Sequence, residues 1–444
     1  MRTASILTAR VAGLVVVVST SAVAQLPNAS TAAFAMGGNF TAIARGFEAV
    51  SWNAANLAMP GRPLISFGLG ILGGNAGLAP VDLNALHKFS GQVIDDATKA
   101  QWVELAKEEG GQRGEIEGSI TPLALTVGPI GLQLGTSFYT NLNLSPDAWE
   151  AWLFGNAGRT GGQPKTLDLT GTSVRAAAFT TGAVSFALPI PINLTMGMLS
   201  HEKAAIGITG KYIIGNGLIV AQDLGSTVPA SGDITVDLPV IAVRTDSLVD
   251  VPTQASDYRG RAGSGIGADL SVAWSGGPWR AGAVFENVVN TFKWDTTMLA
   301  YMPGAGTFSP DTSDINFDQH SYSSAPQALK DIVAAQAFKP AVRIGAAMQV
   351  SRALTLTADM KTTVANKDAI LVGPKSHVGV GAEWRVLPFI PLRAGVASVS
   401  DGWQAGAGVG LRLLGYELGL STSIRQHGVA RESGLMVGVV GIGR

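Results

Sequence analysis

The feature that most constrains this chain is a strict alternation of apolar residues with polar or small ones. Residues 402–425 read GWQAGAGVGLRLLGYELGLSTSIR, and the positions between the apolar residues hold mostly glycine, serine or a lone charge. Successive side chains of a β-strand point to opposite faces, so this period of two predicts strands with different surroundings on each side. A turn is expected near Leu414-Gly415, which would place Arg412 opposite Glu417.

The same alternation recurs along most of the chain. Gly276-Gly277-Pro278 separates two alternating runs and predicts a second hairpin. About sixteen segments alternate in this way, with boundaries uncertain by a few residues. They cover residues 63–72, 115–127, 130–140, 174–188, 203–214, 216–223, 234–245, 264–275, 279–286, 342–350, 354–361, 378–386, 391–398, 402–413, 416–424 and 433–443.

Short helices are predicted between some of these strands. Residues 95–109 begin with an aspartate cap, residues 145–154 begin with Ser145 and Pro146, and a third helix is predicted over 325–337. The remaining long stretches are predicted to be irregular, as in the external loops of a membrane barrel. They are residues 73–92, 155–170, 224–233, 247–262 and 291–324.

The first 24 residues predict a secretory signal peptide. Arg2 and Arg10 flank a short apolar core, and Ala22-Val23-Ala24 fits a cleavage site before Gln25. The apolar core is too short to span a bilayer. The protein is therefore expected to leave the cytoplasm.

The composition favours an outward orientation of the apolar face, toward lipid. Only 14% of the 444 residues are charged, against roughly 25% in soluble domains. The sequence therefore predicts an all-β fold, a transmembrane antiparallel barrel of about fourteen strands (twelve to sixteen), with apolar side chains toward lipid. Trp274, Trp279, Trp384, Trp403 and Tyr416 are expected near the membrane interfaces. Lumen-facing charges are expected at Lys211, Asp269, Arg280, Glu286, Arg343, Asp359, Lys361, Glu383, Arg385, Arg393, Arg412, Glu417 and Arg425.

Three glycines form a row on the inner face of one predicted strand. Gly406, Gly408 and Gly410 would leave this part of the wall smooth. Either strand curvature alone explains them, or another segment or a ligand packs against them.

The segment over residues 35–66, AMGGNFTAIARGFEAVSWNAANLAMPGRPLIS, resembles the N-terminal part of the long-chain fatty-acid transporter superfamily of outer-membrane barrels. The stretches KFSGQVIDDATKAQWVELAKEEG, AAIGITGKYIIGNG and GSGIGADLSVAW resemble its TraF-like and PorV-like branch. This resemblance implies that residues 25–62 form a hatch inside a barrel that covers residues 63–444. Two departures are Asn53-Ala54-Ala55, where the family has Asn-Pro-Ala, and a chain end at Arg444 rather than at an aromatic residue.

Four residues of the implied hatch carry polar or aromatic chemistry. Arg45 and Glu48 are expected to pair, and with Trp52 and Asn53 they would hold the hatch to the lumen charges. The alternative is that these residues begin a short helix on a periplasmic extension.

Few residues suggest catalysis or a cofactor. The chain has no cysteine, and its five histidines are far apart in sequence. No Gly-x-Ser-x-Gly elbow or metal-binding spacing is present, so we expect neither an enzyme, a metal nor a cofactor. His377 is predicted to be a polar wall residue. A net charge of −1 argues against nucleic acid as a partner.

Three functions fit these observations. The favoured one is passage or binding of a hydrophobic small molecule in a Gram-negative outer membrane, with Trp149 and Trp152 contacting the ligand. A second is a structural barrel that binds a secretion or envelope protein without transport. A third is a soluble secreted β-protein whose apolar face points inward.

Overall fold

A computed structural model describes residues 26–156, 163–191, 202–244, 262–309, 313–335, 338–363, 375–400, 402–427 and 430–442. The signal peptide predicted over residues 1–24 lies outside the described residues, as does most of the irregular stretch predicted over 247–262.

Fourteen antiparallel strands close into one barrel. Each strand pairs with the next along the chain, and the last pairs with the first from Ser66↔Ile442 to Leu78↔Arg431. Closure leaves no free strand edge, which a membrane-spanning sheet requires. This confirms the predicted fold class. The strands are β1 (Ile65–Ala79), β2 (Gln112–Val127), β3 (Ile130–Leu144), β4 (Ser173–Ile190), β5 (Lys203–Gln222), β6 (Gly263–Gly276), β7 (Trp279–Asn290), β8 (Ala341–Gln349), β9 (Leu354–Thr363), β10 (Ser376–Leu387), β11 (Ile390–Val399), β12 (Gly402–Leu413), β13 (Tyr416–His427) and β14 (Ala430–Ile442).

The apolar side chains of the strands point outward. On β12, Trp403, Val409, Leu411 and Leu413 are all at least 40% exposed. The soluble alternative required these side chains inside, so that alternative is wrong.

No helix in the described part of the chain combines the length and the apolar character needed to cross a membrane.

The two ends of the barrel differ in their connections. At one end, five of the hairpin turns have only two to four residues, and we call this end the short-turn rim. The turn at Leu414-Gly415 lies there, with φ values of 52° and 86°, and Arg412 pairs with Glu417 as predicted. The opposite end carries the long insertions and is the long-loop rim. Outer-membrane barrels have short periplasmic turns and longer external loops, the same asymmetry.

Residues 26–62, which we call the plug segment, lie inside the barrel. They form helices α1 (Thr31–Ala35) and α2 (Glu48–Trp52) and a 3₁₀ helix (Ala54–Ala58), joined by turns. Helix α1 contacts β11 to β14, and the 3₁₀ helix contacts β4 to β6. The plug segment therefore crosses the lumen from one wall to the other.

In the described part of the chain, four helices and several short strands lie in the loops of the long-loop rim. The helices are α3 (Leu83–Lys88), α4 (Asp96–Glu108), α5 (Pro146–Phe154) and α6 (Gln327–Ala335), and a 3₁₀ turn covers Tyr322–Ser324. Asp95 and Ser145 cap α4 and α5 as predicted. The short strands are Leu167–Asp168, Thr227–Val228, Ile234–Asp237, Val240–Val243, Lys293–Trp294, Leu299–Met302, Ala305–Phe308 and His320–Ser321.

Three predicted boundaries were wrong. Residues 203–214 and 216–223 form the single strand β5, because Gly215 sits inside the strand against Trp294 rather than in a turn. The stretch 73–92 continues β1 to Ala79 and then forms α3. A bulge near Gly70 shifts the register there, and small side chains beyond it hide the alternation. Short strands also lie within 224–233 and 291–324.

Candidate functional site

Glycines on the inner wall let the plug segment lie directly against the strands. A Cβ atom on Gly406 would lie 2.5 Å from the carbonyl oxygen of Phe34, and one on Gly408 would lie 2.6 Å from the Cβ of Ala35. Gly410 instead faces side chains of the wall itself. The close approach of α1, rather than strand curvature alone, therefore accounts for two of the three glycines.

Polar groups of the plug segment bond to the strands around it. Asn39 Nδ2 donates to the carbonyl of Val380 at 3.1 Å, and Thr357 Oγ1 donates to the carbonyl of Asn39 at 2.8 Å. Gln404 Nε2 donates to the carbonyl of Gly37 at 2.6 Å. These bonds satisfy irregular plug backbone in a buried setting, where unpaired groups are costly.

Asn53 fixes the far side of the plug segment. Its Nδ2 donates to the carbonyl of Val272 at 3.1 Å, while its Oδ1 accepts from Ala55 N at 3.1 Å. Ala55 N also lies 3.0 Å from Ser271 Oγ of β6. Asn53 thus caps the 3₁₀ helix and ties it to the wall, although alanine follows it where the family has proline.

Arg45 and Glu48 do not form the expected pair. Arg45 Nη1 donates to the carbonyl of Gly61 at 3.1 Å, and Glu48 Oε1 accepts from Ser30 Oγ at 2.5 Å. Glu48 starts α2 and points toward the wall, where Arg393 lies. The i, i+3 spacing brings two side chains together only within a helix. Helix α2 begins at Glu48, so Arg45 lies outside it.

Glu48 is a partly buried acid within the plug segment. Burial raises the pKa of its carboxyl to about 7, although the Ser30 hydroxyl and the Arg393 guanidinium act in the opposite direction. Its charge state therefore changes near neutral pH.

Trp52 joins the plug segment to the charged wall. Its ring meets Phe40 edge-on at 5.7 Å, and its Nε1 donates to Asn28 Oδ1 at 2.9 Å. The Arg343 guanidinium lies 4.4 Å from the centre of the same ring. Such a cation–π contact is worth more when both groups are removed from water.

The wall charges form two groups, of which the first lies on β5 to β9. Glu286 accepts from Arg343 at 2.8 Å and from Lys361 at 3.1 Å. Lys211 pairs with Asp269 at 2.5 Å. Asp359 Oδ2 accepts from a backbone N–H of the plug segment, at Thr41.

The second group, the charge ladder, lies near the short-turn rim. It consists of Arg385, Glu383, Arg393, Glu417 and Arg412, linked in that order. Arg393 of β11 bridges the two glutamates at 2.8 and 2.6 Å: Glu383 is on the neighbouring strand β10, and Glu417 is on β13, reached across β12. Cross-strand pairs of this kind stabilise charges that a lumen encloses.

Lys361 and Arg425 line one cavity with Arg343, and the other eleven charged positions predicted to face the lumen also line cavities between plug and wall. These eleven are Lys211, Asp269, Arg280, Glu286, Arg343, Asp359, Glu383, Arg385, Arg393, Arg412 and Glu417. Within the described residues, Arg280 differs from the other ten because no hydrogen bond or ion pair reaches its guanidinium.

The two tryptophans expected to contact ligand have separate surroundings. Trp149 is 4% exposed and packs with Val81, Trp102 and Val103 between α4 and α5. Trp152 is 57% exposed and stacks on Trp149 with ring centres 4.9 Å apart. Trp149 is thus used in packing the helices together, and only Trp152 faces outward.

A cluster of four aromatic side chains was missed from the sequence. Phe179 of β4 meets Phe292, Trp294 and Phe338 with ring centres 5.6, 5.5 and 4.9 Å away. We call these residues the aromatic cluster. It lies in the lumen on the long-loop side of the plug segment, and Gly215 makes room for Trp294. The signal was FKW at 292–294, within a stretch predicted to be an irregular loop.

One cavity, between the plug segment and strands β8 to β13, is small and is lined by both polar and apolar groups. It has a volume of about 90 Å³ and is lined by Trp52, Arg343, Lys361, His377 and Gln404, among others. For comparison, an apolar cavity of about 150 Å³ binds benzene. With the plug segment in place, this path is therefore too narrow for a hydrocarbon.

Histidine serves as a wall residue here. His377 Nε2 lies 3.1 Å from Asn39 Oδ1 of the plug segment. No group of three or more His, Cys, Asp or Glu side chains in the described part of the chain is arranged to hold a metal ion.

Comparison with known proteins gives structural likeness alone. No family model matches the chain, and no curated protein matches it. A mutant of the TodX monoaromatic hydrocarbon channel shares 10% identity, with 92% of this chain and 97% of that chain covered and a TM-score of 0.52. The Ralstonia pickettii toluene transporter TbuX shares 12% identity, with coverages of 93% and 97% and a TM-score of 0.48.

A Pseudomonas aeruginosa FadL homologue shares 10% identity, with 96% and 99% of the two chains covered and a TM-score of 0.43. At these identities the likeness concerns the fold alone. Of the three structures, only the mutant TodX channel, with a TM-score of 0.52, is similar enough to support it. The finer resemblance to the TraF-like and PorV-like branch is not supported by these structures.

Proposed function

We propose that this protein is an outer-membrane channel that admits a hydrophobic small molecule when the plug segment moves. The observation that carries the proposal is the aromatic cluster, an apolar region of the inner wall that is packed against α6 in this structure and would face the lumen once those contacts open. Apolar and aromatic ligands gain by leaving water for such a surface. The structure with the similar fold is named as a monoaromatic hydrocarbon channel, which agrees with this cargo.

The plug segment acts as the hatch in this proposal. The cavity between it and strands β8 to β13 is too small for an aromatic ring, so passage along this path requires the segment to shift. Among the described residues its seat consists of hydrogen bonds, most of them between neutral groups, and of close contacts with glycines. Each such bond contributes about 1 kcal/mol, so the seat is reversible.

A reversible lock on the plug segment tests this function. A Cβ on Gly381 would lie 3.2 Å from the Cβ of Met36, close to the ~3.8 Å that a disulfide requires. Because the chain has no cysteine, Met36→Cys with Gly381→Cys can form one bond only. We expect toluene uptake into lipopolysaccharide-coated proteoliposomes to stop on oxidation and to recover on reduction.

Each single-cysteine variant is the matched control and should transport under both conditions. Uptake that continues through the oxidised double variant would contradict a moving hatch. If even the wild-type protein takes up no toluene or other hydrocarbon, and a protein partner co-purifies from solubilised membranes, the partner-binding alternative is the better account.

A further inference from the structure

A second cavity opens at the short-turn rim, below the plug segment. It has a volume of about 650 Å³, and we call it the rim chamber. Turn residues Pro278 and Gly415 form part of its edge, and Phe47 of the plug segment forms part of its roof. Its charged lining is Arg45, Arg62, Arg280, Arg385, Arg393, Arg412, Glu48, Glu383 and Glu417.

The rim chamber holds an excess of positive charge. Six arginines and three glutamates line it, while the whole chain has a net charge of −1. The charge ladder, with three arginines and two glutamates, leaves one positive charge in excess. Protonation of Glu48 near pH 7 increases the imbalance further.

Three of the arginines have no carboxylate partner among the described residues. Arg45 and Arg62 donate to the backbone carbonyls of Gly61 and Leu57. Arg280 is partly buried, has neither a hydrogen bond nor an ion pair in the described part of the chain, and lies close enough to Arg385 for the two cations to repel each other. Arg45 and Arg280 also line an adjoining cavity that contains Lys203. Three arginines of this rim therefore line the same cavities without a carboxylate paired to any of them among the described residues.

Guanidinium groups are the side chains best suited to bind oxyanions. Each offers several N–H donors in a plane that matches two oxygens of a phosphate or carboxylate. A concave site with one sign of charge also concentrates counter-ions. We propose that the rim chamber binds an oxyanion of the phosphate type, with Arg280 as its anchor and Arg45 of the plug segment as a second contact. The anion comes either from solution or from the headgroup of a lipid in the neighbouring leaflet.

Calorimetric titration of the purified barrel in zwitterionic detergent tests the proposal. Inorganic phosphate is the first probe and dihexanoyl phosphatidate the second. We expect Arg280→Gln to weaken phosphate binding by about tenfold or more, as loss of a charged hydrogen bond does. Arg45→Gln is expected to act in the same direction. Arg352→Gln is the matched control, because Arg352 is exposed on the same rim but does not line the chamber.

A heat-modifiability gel shows whether each variant keeps a closed barrel. If Arg280→Gln does not fold, the phosphate affinity of Arg45→Gln tests the proposal instead. Equal affinity for both probes identifies a soluble anion, and tighter phosphatidate binding identifies a lipid headgroup; either supports the site. Absence of phosphate binding by the wild-type protein, or equal weakening by Arg352→Gln, would overturn it. Binding is measured without transport, so this outcome is independent of the uptake experiment.

Discussion

At the scale of single residues, the inner and outer faces of the wall obey different rules. An outward position needs only an apolar side chain, as at Leu411 and Leu413. An inward position depends on what lies against it. Gly406 is glycine because Phe34 passes there, whereas Arg412 is charged because Glu417 faces it. Alternation in the sequence therefore shows which face a residue occupies, but not its partner.

This difference predicts opposite effects for two Gly→Ala substitutions. Gly406→Ala would place a methyl group against the Phe34 carbonyl, and overpacking of this kind costs roughly 1–3 kcal/mol unless the plug segment shifts. Gly210→Ala on β5 is the matched control, since nothing lies within 4 Å of its Cβ position. Urea unfolding of the refolded barrels measures both free energies. Equal stability of the two variants would show that α1 does not rest on β12.

At the scale of elements, strands were easier to predict than the plug segment. Hairpins such as β12–β13 are local, so alternation and turn residues locate them within a few residues. The seat of the plug segment depends on contacts between residues more than 300 positions apart, such as Asn39 with Val380. Those partners are small or neutral and leave no pattern in the sequence. The Arg45–Glu48 expectation failed for the same reason, because a local spacing was used where distant partners decide.

Seating of the plug segment is expected to depend on pH through Glu48. Its pKa is about 7 in the seated state, because of burial, against 4.5 in water. Between pH 4.5 and 7 the Glu48 carboxyl is therefore protonated in the seated state and ionised in the released state. Seating is most stable below pH 4.5, and it weakens as the pH rises through 7. The groups that face the carboxyl are Ser30, Arg393, Glu383 and Glu417. The loss is at most about 3 kcal/mol, since one side of Glu48 borders the rim chamber.

Melting temperatures of the wild-type protein and of Glu48→Gln between pH 5 and 8 check this expectation. The neutral amide should remove the decline, so the two curves should separate as the pH rises. Glu108→Gln, on the exposed face of α4, is the control and should follow the wild-type curve. Parallel curves for Glu48→Gln and the wild-type protein would show that the seat does not sense this proton.

At the scale of the whole molecule, the low charge content follows from where charges can be placed. A closed barrel in lipid has a wide apolar exterior, so its charges are confined to the lumen and the rims. The described lumen pairs most of them, as the charge ladder does, while Arg45, Arg62 and Arg280 of the rim chamber have no carboxylate partner among the described residues. The net charge of −1 therefore does not mean that charge is even along the molecule, since the rim chamber carries an excess of arginines.

The outer face itself gives the last prediction. Leu420 lies at mid-strand on β13 and is 50% exposed, while Leu413 ends β12 beside the short turn and is 57% exposed. If lipid covers this face, Leu420→Arg should cost about 2–4 kcal/mol and Leu413→Arg only about 0–1 kcal/mol. Urea unfolding in liposomes gives both free energies. If water covered this face, arginine would cost the same at both exposed leucines, so equal costs would contradict a membrane-spanning wall. A larger cost at Leu420 than at Leu413 is expected only if the wall spans a membrane.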